Sequence, residues 1–193
     1  MHVAAPLPPE RSDTVARRAL LAQARTLGIP SDYARSRALS RVREPATLEA
    51  IGEDIHGRVQ WLAPRAARHW RRMRDSAHVD GITLQCVSAF RSIEYQLGIL
   101  SRKLERGQSL DEILRVSAAP GYSEHHSGRA LDLTTPGYEP LEETFERSPA
   151  FAWLHRHAGA FGYALSYPRG NPHGIAYEPW HWCWHASRAK PSK

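Results

Sequence analysis

Cysteine is scarce: the 193-residue chain has two, Cys86 and Cys183. Two cysteines cannot build the disulfide framework of a small secreted scaffold, and both lie in apolar runs, so two buried thiols are expected. Long hydrophobic runs are lacking too. No stretch approaches the ~20 apolar residues of a membrane span. The opening residues, MHVAAPLPPERSD, have no basic start followed by an apolar segment and do not read as a secretory signal. As written, the chain is expected in the cytoplasm, or in the periplasm or cell wall if a leader was removed. Acidic residues are in deficit, 20 against 26 Lys and Arg, for a formal charge of +6 and a pI near 9.7. Such a surplus suits a polyanion, either nucleic acid or an anionic wall polymer. Yet Arg65, Arg68, Arg71, Arg72 and Arg74 lie among the apolar positions of a helix, not in a separate basic tail. They read as a solvated helix face, and no nucleic-acid partner is expected. Internal repeats and low-complexity segments are also missing.

What is present is ordinary for a soluble globular protein, with 41% hydrophobic and 24% charged residues. That length supports one real core, and a monomer is expected. Residues 11–27 read as a helix ended by Gly28 and Pro30. Residues 31–56 have no clean period and suggest short helices or an arm packed on the domain. Val59, Leu62, Ala66, Trp70 and Met73 recur at steps of three and four, a helical stripe that Pro64 starts or kinks. After Asp80-Gly81 the period becomes two, so 82–87 reads as a strand. Ser92 is a good N-cap for a helix carrying Ile93, Leu97, Leu100 and Leu104. Ser109 and Glu112 have capping-box form for a short helix to about 115. Ala130–Thr134 reads as a buried strand, and Pro149 opens a helix. Residues 163–167 and 175–184 read as two strands joined by a loop, 168–174, that is a candidate lid or binding loop. Helices and strands in this order predict an α+β fold, a small mainly antiparallel sheet with flanking helices.

Two segments carry chemistry. The first is Ser123-Glu124-His125-His126-Ser127-Gly128-Arg129-Ala130-Leu131-Asp132; the second, Glu178-Pro179-Trp180-His181, begins 46 residues after Asp132. Two imidazoles and a carboxylate can hold one zinc ion, and three protein ligands leave a position open for water. Asp132 stands between two leucines, where a carboxylate is costly unless it is paired or metal-bound. Arg129 and Arg91 are the alternative partners. His126 competes with His125 as a ligand, or serves as a loop histidine or as a hydrogen bonder behind the ligands. His181 has a bland reading as a member of an aromatic cluster with Trp180, Trp182 and Trp184. Glu178 is placed to move a proton. On a regular strand, however, Glu178 and His181 would face opposite sides, and a bulge near Pro179 would be needed to bring them together.

Together these residues resemble the VanY/LdcB-type zinc D-alanyl-D-alanine carboxypeptidases, whose pattern is Ser-x-His-x-x-Gly-x-Ala-x-Asp followed by Glu-x-x-His. Ser88-Ala89-Phe90-Arg91-Ser92 with Glu94-Tyr95-Gln96 is similar to the family's arginine segment. Phe161-Gly162-Tyr163 through Pro168 resembles the stretch before its Glu-Pro-Trp-His. The likeness covers about 60–185 and implies a Hedgehog/DD-peptidase fold. A helical N-terminal extension over 1–58 would precede a catalytic domain over 59–193. It implies one Zn²⁺ on His125, Asp132 and His181, with Glu178 as catalytic base and Arg91 facing the substrate carbonyl. Ser123, Tyr95, Gln96 and Trp180 fall near the substrate. Spacing to Asp132 favours His125 over His126. The implied substrate is a peptidoglycan stem peptide that loses its C-terminal D-amino acid, with D,D and L,D specificity not separated. The competing expectations are a peptidoglycan endopeptidase of the phage-lysin kind and a non-catalytic wall- or nucleic-acid-binding module.

Overall fold

A computed structural model describes residues 8, 9 and 14–186. Its helices are α1 (Thr14–Thr26), α2 (Tyr33–Ser36), α3 (Pro64–Val79), α4 (Ile93–Glu105), α5 (Leu110–Val116) and α6 (Pro149–His157). Its strands are β1 (Glu49–Glu53), β2 (Val59–Leu62), β3 (Gln85–Ser88), β4 (Ala130–Thr134), β5 (Tyr163–Leu165) and β6 (His181–Trp184). β1 and β2 form an antiparallel pair, and the other four make an antiparallel sheet in the order β3-β4-β6-β5. The α+β expectation holds.

The sheet has two unlike faces because side chains alternate along each strand. Leu131 and Leu133 of β4 and Trp182 and Trp184 of β6 join the main core with Ala66, Trp70 and Met73 of α3 and Leu154 of α6. The intervening residues, Asp132 on β4 and His181 on β6, take the other face. They are direct partners across the ladder, so the register alone sets their Cβ atoms roughly 5 Å apart.

Local signals account for most of the helix starts. Pro64 is at the first turn of α3, where its missing N–H costs nothing. The Ser92 side chain accepts from the Tyr95 N–H, and the capping box of Ser109 and Glu112 is complete. Ser148 caps α6 through the Phe151 N–H. The predicted first helix is present over Thr14–Thr26, ending one residue earlier than expected; 11–13 lie outside the described residues.

Other expectations are corrected. Val59 and Leu62 belong to β2, not to a helical stripe, since Pro64 begins the helix after them. Strand β1 lies inside the stretch expected to hold short helices or an arm, where only α2 is helical besides. Its sole fully buried residue is Ile51, too little apolar alternation to announce a strand. β3 starts at Gln85, later than expected, and 175–180 is outside β6. The 168–174 loop is tied down: Asn171 Nδ2 donates to the carbonyls of Pro168 and Ile175, and Arg37 Nη1 donates to Gly174 at 2.6 Å. Cys86 and Cys183 are buried free thiols. Of the α3 arginines, Arg71 pairs with Glu49, Arg74 with Asp75, and Arg65 lies over the Trp184 ring.

Gly128 joins the first site segment to the rest of the fold. It sits at φ 63°, and its carbonyl accepts from the Ala63 N–H at 2.8 Å, just before α3. A Cβ there would stand 2.9 Å from the Ala63 nitrogen. Gly128→Ala therefore combines left-handed strain with a backbone clash, and a loss of about 2–3 kcal/mol is expected. A thermal melt should show Tm falling by roughly 4–12 °C.

Candidate metal centre and catalytic cleft

His125 is carried by a 3₁₀ turn, Glu124–Ser127, that leads through Gly128 into β4. The turn is anchored twice: the His125 Nδ1 lies 2.5 Å from the Ala89 carbonyl, and the Arg91 N–H reaches the His125 carbonyl. Nδ1 is therefore the protonated nitrogen. Burial drives the His125 pKa down to about 4, so the ring is neutral and Nε2 keeps its lone pair. That atom is buried with no hydrogen-bond partner among the described residues, and it faces Asp132 Oδ2 at 3.2 Å. A lone pair held against a carboxylate is repulsive unless a cation stands between them.

His181 completes the set. Its Nδ1 lies 3.1 Å from Asp132 Oδ1, and its Nε2 lies 2.9 Å from Glu124 Oε2. Burial alone would lower its pKa, but the hydrogen bonds to Asp132 and Glu124 outweigh burial and lift it to about 10. Burial raises the Asp132 carboxyl, and the two histidines then hold it well below the usual range. Two carboxylates around one imidazole call for positive charge at Nδ1, supplied by a proton or, on displacement of that proton, by a metal ion. The donor atoms of His125, Asp132 and His181 all lie within 4.8 Å of one another, and all three residues are buried. The set fits a metal ion.

Glu178 reaches the same place by a turn, not by a bulge. The His181 N–H donates to the Glu178 carbonyl at 3.1 Å, across Pro179-Trp180. Its carboxylate lies 3.6 Å from His181 Nδ1. Burial, reinforced by the Asp132 charge against the opposing pull of His181, raises its pKa to about 7. Near-neutral acidity of this kind suits a group that accepts and then returns a proton.

The centre opens into a cleft of about 370 Å³ lined by Arg91, Lys103, Asp132, Leu141, Glu178 and Trp180. Arg91 Nη2 stands 3.7 Å from Asp132 Oδ2. The remaining predicted residues fall elsewhere. Tyr95 is 51% exposed and lines a neighbouring groove that it shares with Arg91. Gln96 is buried and donates to Ser117 Oγ and to the Ala118 carbonyl. Ser123 is buried, just before the 3₁₀ turn. The loop 168–174 contributes nothing to the cleft lining. His126 spends both ring nitrogens on the backbone: Nδ1 faces the Arg91 carbonyl at 2.6 Å, and Nε2 accepts from the Gly121 N–H. It braces the turn and has no nitrogen left for a metal.

Sequence reasoning missed Glu124. The residue adjoins His125, but its partner is 57 positions away, and no local signal encodes that pairing. Burial raises its carboxyl; the His181 hydrogen bond outweighs this and brings the pKa to about 2. A carboxylate orienting a metal-binding histidine typically supports affinity 10–100-fold. Glu124→Gln is expected to weaken metal binding at the His125–Asp132–His181 centre by about that factor, as read by competition with a chelating dye. An unchanged affinity would remove Glu124 from this role.

The family model for VanY, D-alanyl-D-alanine carboxypeptidase, matches residues 59–187, which include every residue of this centre. The chain belongs to the VanY family. It is 31% identical over 128 residues to YodJ of Bacillus subtilis, covering 63% of this chain and 45% of YodJ. It is 27% identical over 128 residues to a D-alanyl-D-alanine carboxypeptidase of Enterococcus faecalis, covering 61% of this chain and 46% of that enzyme. The chain thus spans a little under half the length of these relatives. Among solved structures, the LdcB LD-carboxypeptidase superposes with a TM-score of 0.68 at 28% identity, over 76% of this chain and 71% of LdcB. The VanY match and the LdcB superposition agree with the antiparallel α+β architecture described above.

Proposed function

We propose that the chain is a zinc-dependent carboxypeptidase that removes the C-terminal D-amino acid from peptidoglycan stem peptides. The observation that carries this reading is the unsatisfied His125 Nε2, set against Asp132 and His181 beside Glu178 at the floor of an open cleft. Two imidazole nitrogens and one carboxylate suit zinc and leave a position for water. Family membership supports the choice of substrate.

Zinc, when bound, supplies a Lewis acid that acidifies water at neutral pH. The chain's own residues do the rest. Glu178 takes the proton of the attacking water and delivers it to the departing amine. Arg91, a fixed charge on the cleft wall, stabilises the oxyanion that develops on the scissile carbonyl. His126 holds the Arg91 main chain in place, and Glu124 holds His181.

Incubation of zinc-loaded protein with tri-, tetra- and pentapeptide stems, followed by mass spectrometry, tests the reading. Free D-alanine from the pentapeptide marks D,D activity and from the tetrapeptide L,D activity. Cleavage inside the stem would show an endopeptidase and overturn the proposal.

A further inference from the structure

The face of β6 that carries His181 continues past the catalytic centre. Cys183, two residues on, points the same way, and His185 follows just beyond the strand end. Glu124 lies against this run. A Glu124 carboxylate oxygen, Cys183 Sγ and a His185 ring nitrogen all lie within 4.8 Å of one another. The Cys183 thiol donates to the Trp184 carbonyl at 3.8 Å, and the Glu124 carboxylate is near enough to act on it. Cys183 is buried, the Glu124 side chain is 25% exposed and His185 is exposed. Glu124 also lines a cavity of about 440 Å³ that is separate from the catalytic cleft. None of the proposed catalytic steps uses Cys183 or His185.

We propose that Glu124, Cys183 and His185 form a second, sulfur-containing site for a borderline-soft divalent ion such as zinc, coupled to the catalytic centre through Glu124. Carboxylate, thiolate and imidazole are each donors that zinc takes, with bonds of about 2.0–2.3 Å, and water can complete the tetrahedron. Donors around such an ion lie roughly 3.5 Å apart, so small side-chain adjustments close the site. The metal–sulfur bond forms as the Cys183 S–H bond breaks, and the proton leaves to solvent. Burial and the Glu124 charge hold the Cys183 thiol well above its ordinary pKa, against the opposing pull of Arg129, so the ion has to displace that proton; Arg129 is exposed and can turn into solvent. Because Glu124 also holds His181 Nε2, an ion at the second site pulls on the carboxylate that orients a ligand of the first.

Cobalt(II) titration of the metal-stripped full chain tests this without any assay of turnover. The His125–Asp132–His181 centre contains no sulfur, so a sulfur-to-cobalt charge-transfer band in the near ultraviolet reports the second site alone. Wild-type protein is expected to bind two equivalents, one of them with this band. Cys183→Ser should abolish the band and leave one equivalent. His185→Ala, at an exposed position, should weaken the sulfur-linked equivalent about tenfold or more while leaving the other in place. Cys86→Ala should leave the band unchanged. Saturation without the band, or a band that survives Cys183→Ser, overturns the proposal. Neither outcome bears on D-alanine release, so failure here and failure of the proposed function are separable.

Discussion

Glu178→Gln is expected to keep full metal occupancy and to lower the proposed D-alanine release by about 10²–10⁴-fold, the usual contribution of a positioned acid–base group. The separation of binding from turnover follows from how Glu178 is held. Its backbone, not its side chain, makes the local structure: its carbonyl accepts from His181 N–H and its N–H donates to the Tyr167 carbonyl. Glutamine leaves both bonds in place, so His181 stays where it is. The side chain itself is 11% exposed and lies close to His181 Nδ1 without belonging to the cluster of three donors. What the substitution removes is a carboxyl that burial has raised to about 7. Metal analysis beside initial rates checks this; loss of metal together with turnover would make Glu178 a ligand and not a base.

His181→Ala is expected to behave differently, because in the proposed centre this ring serves the metal and the fold at once. It should reduce metal affinity by more than the ~100-fold that marks loss of a supporting partner. It also leaves Asp132 and Glu124 facing each other in a buried space without the imidazole that separates them. Breaking a buried charge pair costs about 3–5 kcal/mol, so a Tm drop of roughly 6–20 °C is expected in the metal-free state. Elemental analysis and a melt on the same sample read both effects. Full zinc in the variant would remove His181 from the ligand set.

The metal segments were legible in the sequence because their residues violate local expectation. Asp132 stands between leucines on a strand buried along its length, and Gly128 marks the sharp turn that lets His125 come back to it. The strand register, in which Asp132 pairs with His181, could not be read, since it joins segments 49 residues apart. The Glu178–His181 approach was expected from a bulge and is made by a turn, because 178–180 lies outside the strand. His126 could not be distinguished from His125 by type or burial, both being fully buried. Spacing to Asp132 favoured His125, and the hydrogen-bond partners of each ring nitrogen bear that choice out. Strand β1 stayed hidden because one buried isoleucine gives no period. Gln96 was expected near the substrate on resemblance, and it lies one layer back, holding Ser117.

The central claim is that metal on His125, Asp132 and His181 works with Glu178 to release a C-terminal D-alanine. Its most direct test is D-alanine release from a stem peptide by wild-type protein, measured before chelation, after chelation and after zinc is restored, with Glu178→Gln carried through the same cycle. Release is expected to disappear with the metal, return with zinc, and stay low throughout in the variant. Release that survives complete metal removal, or that Glu178→Gln supports at the wild-type rate, would contradict it.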